Sequence, residues 1–431
     1  MEKYQTPRIV EGDQLEELSL PGEVQLALDD LAGSVREGLL ALSVGVGLKV
    51  LGELLEEELT ALVGPKGKHN PARAASRHGS RSGQVVLGGR KLRVGRPRAR
   101  TGDGRELELR TYNHFASDDL LAERTVETML AGLSTRRHRR ALEPTGTEDR
   151  SVSKSAVSRR FVERTRRSLA KLMARPVPDD LAVLMLDGVE VAGSTCLCAL
   201  GIRADGTKIP LGLWEGASEN AAVCRRALAD LAERGLQAER GLLVCIDGAK
   251  ALRKAVSEAL GAKAAVQRCR RHKEQNVLQH LPEIERPWVK RKLREAWAQE
   301  RADLAERRLR ELARALEAGR PGAAASLREG LAETLTLTRL GIGAESWLGR
   351  TLQTTNPLES MLSVCRERAR NVKRWRGGEM ALRWTAAGML DAERSFRRIK
   401  GFRDLPKLRA ALRRHAADVD RKEVKDFQTA A

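Results

Sequence analysis

The sequence is poor in aromatic residues, in cysteine and in long apolar runs. Aromatic side chains are 3% of its 431 residues, which argues against binding single-stranded nucleic acid mainly by base stacking. Its six cysteines are too few for a disulfide scaffold in a chain of this length, so they indicate a reducing compartment. No apolar run approaches the roughly 18 residues of a membrane-spanning helix, and no signal peptide opens the chain. These absences predict a soluble protein of the cytoplasm.

Basic residues, by contrast, are in excess. The chain has 78 Lys and Arg against 58 Asp and Glu, a formal net charge of +20 and a pI near 10.2. Such a charge favours a polyanionic partner, most often nucleic acid, although an anionic lipid surface is an alternative. The length predicts two to four domains.

The basic residues are concentrated in one segment near the N-terminus. Residues 65–100 contain eleven Lys and Arg and no acid. Within them GQVVLGGRKLRVGRPRAR (83–100) predicts a short hairpin with basic flanks. A solvated linker is the alternative, but we expect an arm that contacts phosphates, with Arg96 and Arg98 among the contacts. The preceding residues 23–63 have leucines at helical spacing and predict a helix.

Residues 116–172 are predicted to be helical, with two basic features. STRRHRR (134–140) predicts a basic turn between helices, and its Arg136 and Arg137 are candidate DNA contacts. SVSKSAVSRRFVERTRRSLAKL (151–172) has apolar residues near helical spacing and resembles a helix-turn-helix recognition segment. Its candidate DNA contacts are Lys154, Arg159 and Arg160. A charged amphipathic surface helix is the alternative.

After a linker at 176–180 the pattern changes from helix to strand. Strands are predicted in 182–193, 194–210 and 211–220, with ADGT (204–207) as a hairpin turn. A helix (220–236), a buried strand (241–250) and a helix (251–260) follow, and residues 283–340 return to helix. Cys196 and Cys198 are interpreted as buried strand residues rather than zinc ligands. This order predicts a mixed sheet with helices on its faces.

Two apolar runs lead directly into Asp-Gly. VLMLDG (183–188) and LLVCIDG (242–248) place Asp187 and Asp247 where each strand is expected to end. Asp-Gly is a common turn signal, which is one explanation. The other is chemical: two carboxylates at one edge of a sheet repel each other unless a cation lies between them, which favours a hard divalent metal.

A third acid stands at the predicted start of a helix. In TLQTTNPLESMLSVCRERARNVKRWR (351–376), Thr354, Thr355 or Asn356 can cap the helix and Pro357 suits its first turn. Glu359 then projects from that turn. The alternative explanation is that a Glu in the first turn interacts favourably with the helix dipole and has no other role. The basic residues downstream include three candidate DNA contacts, Arg370, Lys373 and Arg374.

Several of these stretches together carry a resemblance to a known family. IDGAKALRKAVSEAL (246–260), VQRCRRHKEQNVLQHLP (266–282), DDLLAERTVETMLAGLSTRR (118–137) and TTNPLES (354–360) resemble the bacterial insertion-sequence transposases of the Mutator superfamily. The resemblance implies a ribonuclease-H-like α/β core with an Asp-Asp-Glu triad, matched here by Asp187, Asp247 and Glu359. It also implies an all-α insertion before the Glu. The helical patterns at 23–63 and 116–172 predict an all-α N-terminal DNA-binding region in addition.

The resemblance extends to cofactor, supporting residues and organisation. The three acids would bind two Mg²⁺ (or Mn²⁺) ions, Lys250 and Arg253 are candidate DNA contacts, and Asn356 is a supporting residue. The family's Cys-x-x-His element is matched by Cys269 and His272, which without a second ligand pair are expected to be structural rather than a zinc site. The expected regions are an N-terminal helical part (1–64), a basic arm (65–115), a helical DNA-binding region (116–175), the core in two parts (181–282 and 346–400), the insertion (283–345) and a helical tail (401–431).

The implied activity is cutting and joining of transposon ends in the bacterial cytoplasm. The expected partners are the terminal inverted repeats and target DNA, both double-stranded, with a homodimer as the working form and no membrane. The alternatives are a ribonuclease-H-like nuclease or resolvase, a DNA-binding regulator without catalysis, and an RNA-binding scaffold. The regulator leaves the two strand-Asp-Gly motifs without a purpose, the nuclease does not need so long a basic N-terminal region, and the scaffold lacks aromatic RNA motifs.

Overall fold

The computed structural model describes residues 45–68, 75–87, 90–135, 137, 153–191, 193–216 and 220–430. The chain divides into two compact units, Met1–Thr125 with Thr135–Val157, and Val126–Ser134 with Ser158–Ala431. The N-terminal half of the predicted helix at 23–63, and Arg136 with most of the basic turn, lie outside the described residues. Within the described part, no helix is both long and apolar enough to cross a membrane.

The first unit contains a long antiparallel hairpin. Strand β1 (Ala75–Leu87) pairs with β2 (Arg90–Thr101), with Val85 opposite Leu92. Helix α1 (45–63) and the short α2 (Arg110–Ala116) complete its described core. That core consists of Leu51, Leu55, Leu59, Val63, Ala75, Val85, Ala99 and Leu109. The short hairpin predicted within residues 83–100 is confirmed as part of this longer one, and the expectation of an all-α N-terminal region is wrong at the hairpin. A basic stretch without acids lacks the i,i+4 ion pairs that support a helix, and its apolar residues pack on α1 as strand residues.

The second unit is built on a five-stranded mixed sheet. Its strands are β3 (Leu181–Val191), β4 (Ser194–Arg203), β5 (Lys208–Glu215), β6 (Leu242–Ile246) and β7 (Ala264–Arg268), in the order β5-β4-β3-β6-β7. The pairs β3–β4 and β4–β5 are antiparallel, and β3–β6 and β6–β7 are parallel. The predicted mixed sheet and the turn at 204–207 are confirmed. Strand β7 was missed, because AAVQR is too short an apolar run to distinguish from a loop.

Helices cover both faces of this sheet. Successive strand residues point to opposite faces, so Leu184 and Leu186 pack with helices α5 (Ala221–Glu233) and α6 (Lys250–Leu260). Val183 and Met185 pack on the other face, among residues of the C-terminal helices. Those helices are α12 (Trp347–Leu352), α13 (Asn356–Ala369), α14 (Gly378–Arg394) and α15 (Leu405–Ala430), with a 3-10 turn at Phe402–Asp404 before the last.

The helices between β7 and α12 form a core of their own. They are α7 (Arg270–Leu278), α8 (Arg286–Trp297), α9 (Ala302–Glu317), α10 (Pro321–Arg328), a 3-10 turn (Ala332–Leu335) and α11 (Thr336–Arg339), so helix at 283–340 is confirmed. The remaining helices are α3 (Asp118–Leu130) and α4 (Lys154–Met173). Helix α4 is continuous, and Phe161 lies against Trp384 of α14 with ring centroids 4.6 Å apart. Whether its start enters a DNA groove stays a prediction.

Candidate active site

Asp187 lies within a strand rather than at its end. Strand β3 continues past it to Val191, and Asp187 is opposite Cys198 of β4. The expectation that a strand ends at Asp187 is therefore wrong, and Asp187-Gly188 is not a turn; the strand predicted at 182–193 is confirmed. The parallel neighbour β6 stops at this level, because Leu186 pairs with Ile246. Asp187 thus borders the loop that begins with Asp247.

Asp247 does follow the last residue of its strand. Its carboxylate accepts a hydrogen bond from the backbone N–H of Ala249 at 2.9 Å, and Gly248 turns the chain with a φ of +107°. The turn prediction is therefore confirmed at Asp247. Because side chains alternate along β3, Asp187 projects with Val183 and Met185 toward the face that α13 covers. The parallel register and this shared face bring the two acids together.

The environment of Asp187 disfavours its charge. Its side chain is 7% exposed, and burial raises its pKa to about 6. The charge of Asp247 adds to this rise and that of Glu359 adds a little more, whereas His272 and a hydrogen bond from Thr355 lower the pKa. Asp187 therefore interacts electrostatically with both of the other predicted acids, and a cation there would relieve this repulsion.

Glu359 reaches this place from the first turn of α13. Its Oε1 accepts a hydrogen bond from Thr355 Oγ1 at 3.0 Å, and its Oε2 accepts one from Arg271 Nη1 at 2.9 Å. The same Arg271 nitrogen is 3.2 Å from Asn356 Oδ1. Thr355 precedes the helix as predicted, but its hydroxyl contacts the carboxylate instead of capping a backbone N–H. The roles of Thr355 and Arg271 were missed, although both stand inside the stretches that carry the family resemblance.

Cys269 and His272 lie beside Glu359. Burial alone would raise the pKa of the Cys269 thiol, but a hydrogen bond to His272 and its charge lower it overall. The same hydrogen bond raises the pKa of His272 to about 9. Ligand atoms of Cys269, His272 and Glu359 lie within 4.8 Å of one another, the one such group in the described part of the chain, and it does not include Asp187 or Asp247. The Cys-x-x-His element therefore has a third side chain of ligand type that its spacing did not predict.

A buried arginine fixes the turn after Asp247. The guanidinium of Arg268 donates hydrogen bonds to the carbonyls of Gly248 and of Glu329, the latter at 2.9 Å. A Cβ at Gly248 or at Gly330 would lie 2.0 Å from a guanidinium nitrogen. Both glycines are therefore required by the close approach of Arg268, which joins the Asp247 turn to the segment after α10.

Arg270 makes a second buried link, toward Glu359. It is 4% exposed and donates to Thr334 O at 2.9 Å, to Gln353 Oε1 at 2.9 Å and to Thr338 Oγ1 at 3.1 Å. Its backbone N–H donates to Gln353 O at 2.9 Å. Because Gln353 lies just before α13, this arginine joins α7 and the 332–339 turns to the start of the helix that carries Glu359.

The predicted DNA contacts occupy several different settings. Arg98 donates to both carboxylate oxygens of Glu106, at 2.9 and 2.8 Å, and Arg96 lies 4.6 Å from the centre of the Tyr112 ring. Arg253 pairs with Glu333. Arg160 is half-buried, and the exposed ones are Arg137, Lys154, Arg159, Lys250, Arg370, Lys373 and Arg374. Their contact with DNA stays a prediction.

Comparison with known proteins identifies one family. The family described as "Transposase, Mutator family" matches residues 29–398. The chain is 33% identical over 177 residues to the transposase for insertion sequence element IST2 of Acidithiobacillus ferrooxidans, covering 41% of this chain and 58% of that protein. It is 33% identical over 230 residues to a probable insertion-sequence transposase of Corynebacterium diphtheriae, covering 52% of this chain and 64% of that protein.

A further relative matches over a longer region. The transposase for insertion sequence element ISRM5 of Rhizobium meliloti is 29% identical over 351 residues, which are 78% of this chain and 84% of that protein. For the two relatives above, the matched region is less than two thirds of the relative's own length.

Proposed function

Because the chain belongs to the Mutator family of transposases, we propose that it cuts and joins the ends of an insertion sequence at Asp187, Asp247 and Glu359. One observation carries the proposal: β3 and β6 are parallel with Leu186 beside Ile246, so the acids that follow are neighbours. Glu359 joins them through Thr355, whose hydroxyl contacts Glu359 and Asp187. The strand order with two parallel and two antiparallel pairings supports a ribonuclease-H-like core.

The three acids suit a divalent metal with oxygen ligands. Asp187 is buried beside two other carboxylates, and such a cluster is stabilised by a hard cation such as Mg²⁺ or Mn²⁺. We propose two ions per site, held by Asp187, Asp247 and Glu359. When bound, they supply positive charge that stabilises the attacking and leaving oxygens at phosphorus.

The reaction we propose has two displacements at phosphorus. In the first, water attacks the phosphodiester at a transposon end and releases a 3′-hydroxyl. In the second, that hydroxyl attacks a phosphodiester of the target strand and displaces the target's own 3′ oxygen, which leaves as a free 3′-hydroxyl, without a covalent protein intermediate. Arg271 holds Glu359 Oε2 and so competes with any other cation for that oxygen. Cys269 and His272 are supporting residues that hold the other side of Glu359.

Partners follow from the same proposal. The substrates are double-stranded terminal inverted repeats and target DNA, and the net charge of +20 supports a polyanionic substrate. We propose a homodimer as the active form, since two transposon ends must be processed together.

Strand cleavage tests the assignment of the three acids. Asp187→Asn, Asp247→Asn and Glu359→Gln are each expected to abolish Mg²⁺-dependent cleavage of a labelled transposon end, while binding of that end survives. Asp230→Asn is the matched control, because Asp230 lies on α5 and pairs with Arg234. It should cleave like the unaltered protein. Cleavage retained in any of the three variants removes that residue from the triad.

A further inference from the structure

An exposed tryptophan stands between two cations on the second unit. Trp347, the first residue of α12, is 59% exposed, although tryptophan is normally well buried. Lys400 Nζ lies 5.3 Å and the Arg350 guanidinium carbon 5.8 Å from the ring centre. Both distances are within the range of a cation–π contact. The ring is therefore exposed to solvent with two positive charges over it.

The backbone around this ring is held firmly. Ser346 caps α12, with its Oγ accepting a hydrogen bond from the Gly349 N–H at 3.0 Å. Thr351 Oγ1 donates to the carbonyl of Lys400 at 3.1 Å. Gly401, at φ +79°, approaches so closely that a Cβ there would lie 2.2 Å from the backbone nitrogen of Leu348. Two separate segments thus fix the ring and its cations on a rigid support.

The same surface repeats the pairing of ring and cation. Arg398 lies 5.2 Å from the Phe402 ring centre, and Lys208 lies 4.5 Å from that of Phe396. In a chain with only 3% aromatic residues, these rings with cations over them are a concentrated feature, because the segments 347–351 and 396–402 meet where Thr351 Oγ1 donates to the carbonyl of Lys400. We call these residues the aromatic patch: Lys208, Trp347, Arg350, Phe396, Arg398, Lys400 and Phe402.

We infer that the aromatic patch binds an unpaired base of a DNA strand, with Trp347 stacked on the base. A ring stacks only on a base whose face is free, and both faces are covered inside a duplex. Lys400 and Arg350, which lie over the ring in the free protein, move aside for the base and contact the phosphates on either side of it. Two acids also face the patch, since Glu345 pairs with Arg350 and Asp205 lies 4.0 Å from Arg398. Lys400 is therefore the main phosphate contact.

Trp347 lies close along the chain to Glu359, a residue of the proposed active site. Helix α12 ends at Leu352, and α13, which carries Glu359, begins at Asn356. Helix α12 is short, about 9 Å long at 1.5 Å per residue. The inference rests on the proposed function in one respect: a strand opened at a transposon end supplies the unpaired base.

The test measures binding of the full chain to labelled single-stranded DNA in a metal-free buffer, so that cleavage plays no part. Trp347→Ala is expected to weaken binding about tenfold, whereas Trp347→Phe, which keeps an aromatic face, weakens it less than about threefold. Binding of a blunt duplex of the same sequence should be unchanged. Trp288→Ala is the matched control, because Trp288 on α8 is also exposed, at 40%. It should bind both DNAs like the unaltered protein.

Several outcomes overturn the inference. One is that Trp347→Ala binds single-stranded DNA as tightly as the unaltered chain. Another is that Trp288→Ala weakens single-strand binding as much as Trp347→Ala does. A third is that Trp347→Ala changes the oligomeric state, which would make the ring part of a protein interface. A second measurement needs no variant: a strand that contains 5-iododeoxyuridine should photo-crosslink to the peptide with Trp347, and crosslinks confined to other peptides contradict the inference.

The inference and the proposed function fail separately. A chain that shows the Trp347 effect but never cleaves a transposon end would contradict the proposed activity alone. A chain that cleaves through the three acids but is indifferent to Trp347→Ala would contradict the base-binding site alone.

Discussion

At the scale of single residues, the candidate site holds a carboxylate whose ionisation is disfavoured by burial. The pKa of Asp187 is raised to about 6 by burial and by the charge of Asp247. The folded state therefore binds this proton more tightly than the unfolded state, and the free energy of unfolding falls as the pH rises from about 4 to about 6. Above that range the ionised carboxylate destabilises the metal-free protein.

Asp187→Asn should therefore stabilise the metal-free protein at pH 8. The expected gain in the free energy of unfolding is up to about 3 kcal/mol, and it should largely disappear near pH 3, where the carboxyl is mostly protonated in both states. Urea unfolding at the two pH values measures it. Asp205→Asn is the control, since the backbone N–H of Thr207 lowers the pKa of Asp205 and no gain is expected. An equal gain for Asp187→Asn at both pH values would show that its charge is not the cause.

Gly248 is the residue for which the turn after Asp247 allows no side chain. Gly248→Ala adds a Cβ that would lie 2.0 Å from Arg268 Nε, at a φ of +107°. We expect a loss of about 3 kcal/mol in the free energy of unfolding, from backbone strain and overlap together. Gly261→Ala isolates the strain, because Gly261 has a φ of +63° and open space at its Cβ. Equal losses in the two variants would show that Arg268 does not restrict the turn.

At the scale of elements, buried arginines connect the helices after β7 to the two ends of the site. Arg268 reaches the Asp247 turn and Arg270 reaches Gln353, before α13. Carbonyl and side-chain oxygens satisfy the Arg270 guanidinium, so removing that group leaves these acceptors buried without their donor.

Arg270→Met should destabilise the second unit by about 3 kcal/mol. In this variant, backbone amide hydrogen exchange should become faster in the segment 332–339 and at the start of α13, next to the acceptors that have lost their donor. Arg291→Met on α8 is the control, because Arg291 makes an exposed i,i+4 contact with Glu295 and should change stability by less than about 0.5 kcal/mol. Loss of less than about 1 kcal/mol in Arg270→Met would contradict the structural role of this arginine.

The sequence predicted most of the elements that have a clear period. Helix α5, with Asn220 as its cap and Gly235 beyond its end, and the buried strands β3 and β6 were all predictable from pattern. The pattern did not show which strands pair or which distant side chains make contact. The run of β3 past Asp187 depends on the long partner β4, and the roles of Arg268 and Arg270 depend on residues some 20 to 83 positions away. Such contacts are made by the tertiary fold and leave no local signal.

At the scale of the whole molecule, charge governs the expected interaction with DNA. The net charge of +20 predicts binding that weakens steeply with salt. In the first unit, however, the Glu106 carboxylate already pairs with the Arg98 guanidinium, and its Oε1 lies 3.8 Å from Arg96 Nη2. The two predicted contacts of the hairpin are therefore partly neutralised in the free protein.

Glu106→Gln should tighten DNA binding by freeing these two arginines. We expect a several-fold gain in affinity and a log–log salt slope steeper by about 1 to 2, since each additional phosphate contact contributes about 0.9. Glu311→Gln on α9 makes the same change in net charge at another exposed site. Identical salt slopes for the two variants would mean that Arg96 and Arg98 do not contact DNA.

The central claim is that Asp187, Asp247 and Glu359 together bind the catalytic metal. A crystal structure of the full chain with a transposon end and Mn²⁺, with the ions located by anomalous scattering, tests it most directly. We expect manganese peaks within about 2.0–2.3 Å of oxygens of all three carboxylates, with Arg271 displaced from Glu359 Oε2. Manganese held elsewhere on the protein, with any of the three carboxylates out of reach of the ions, would contradict it.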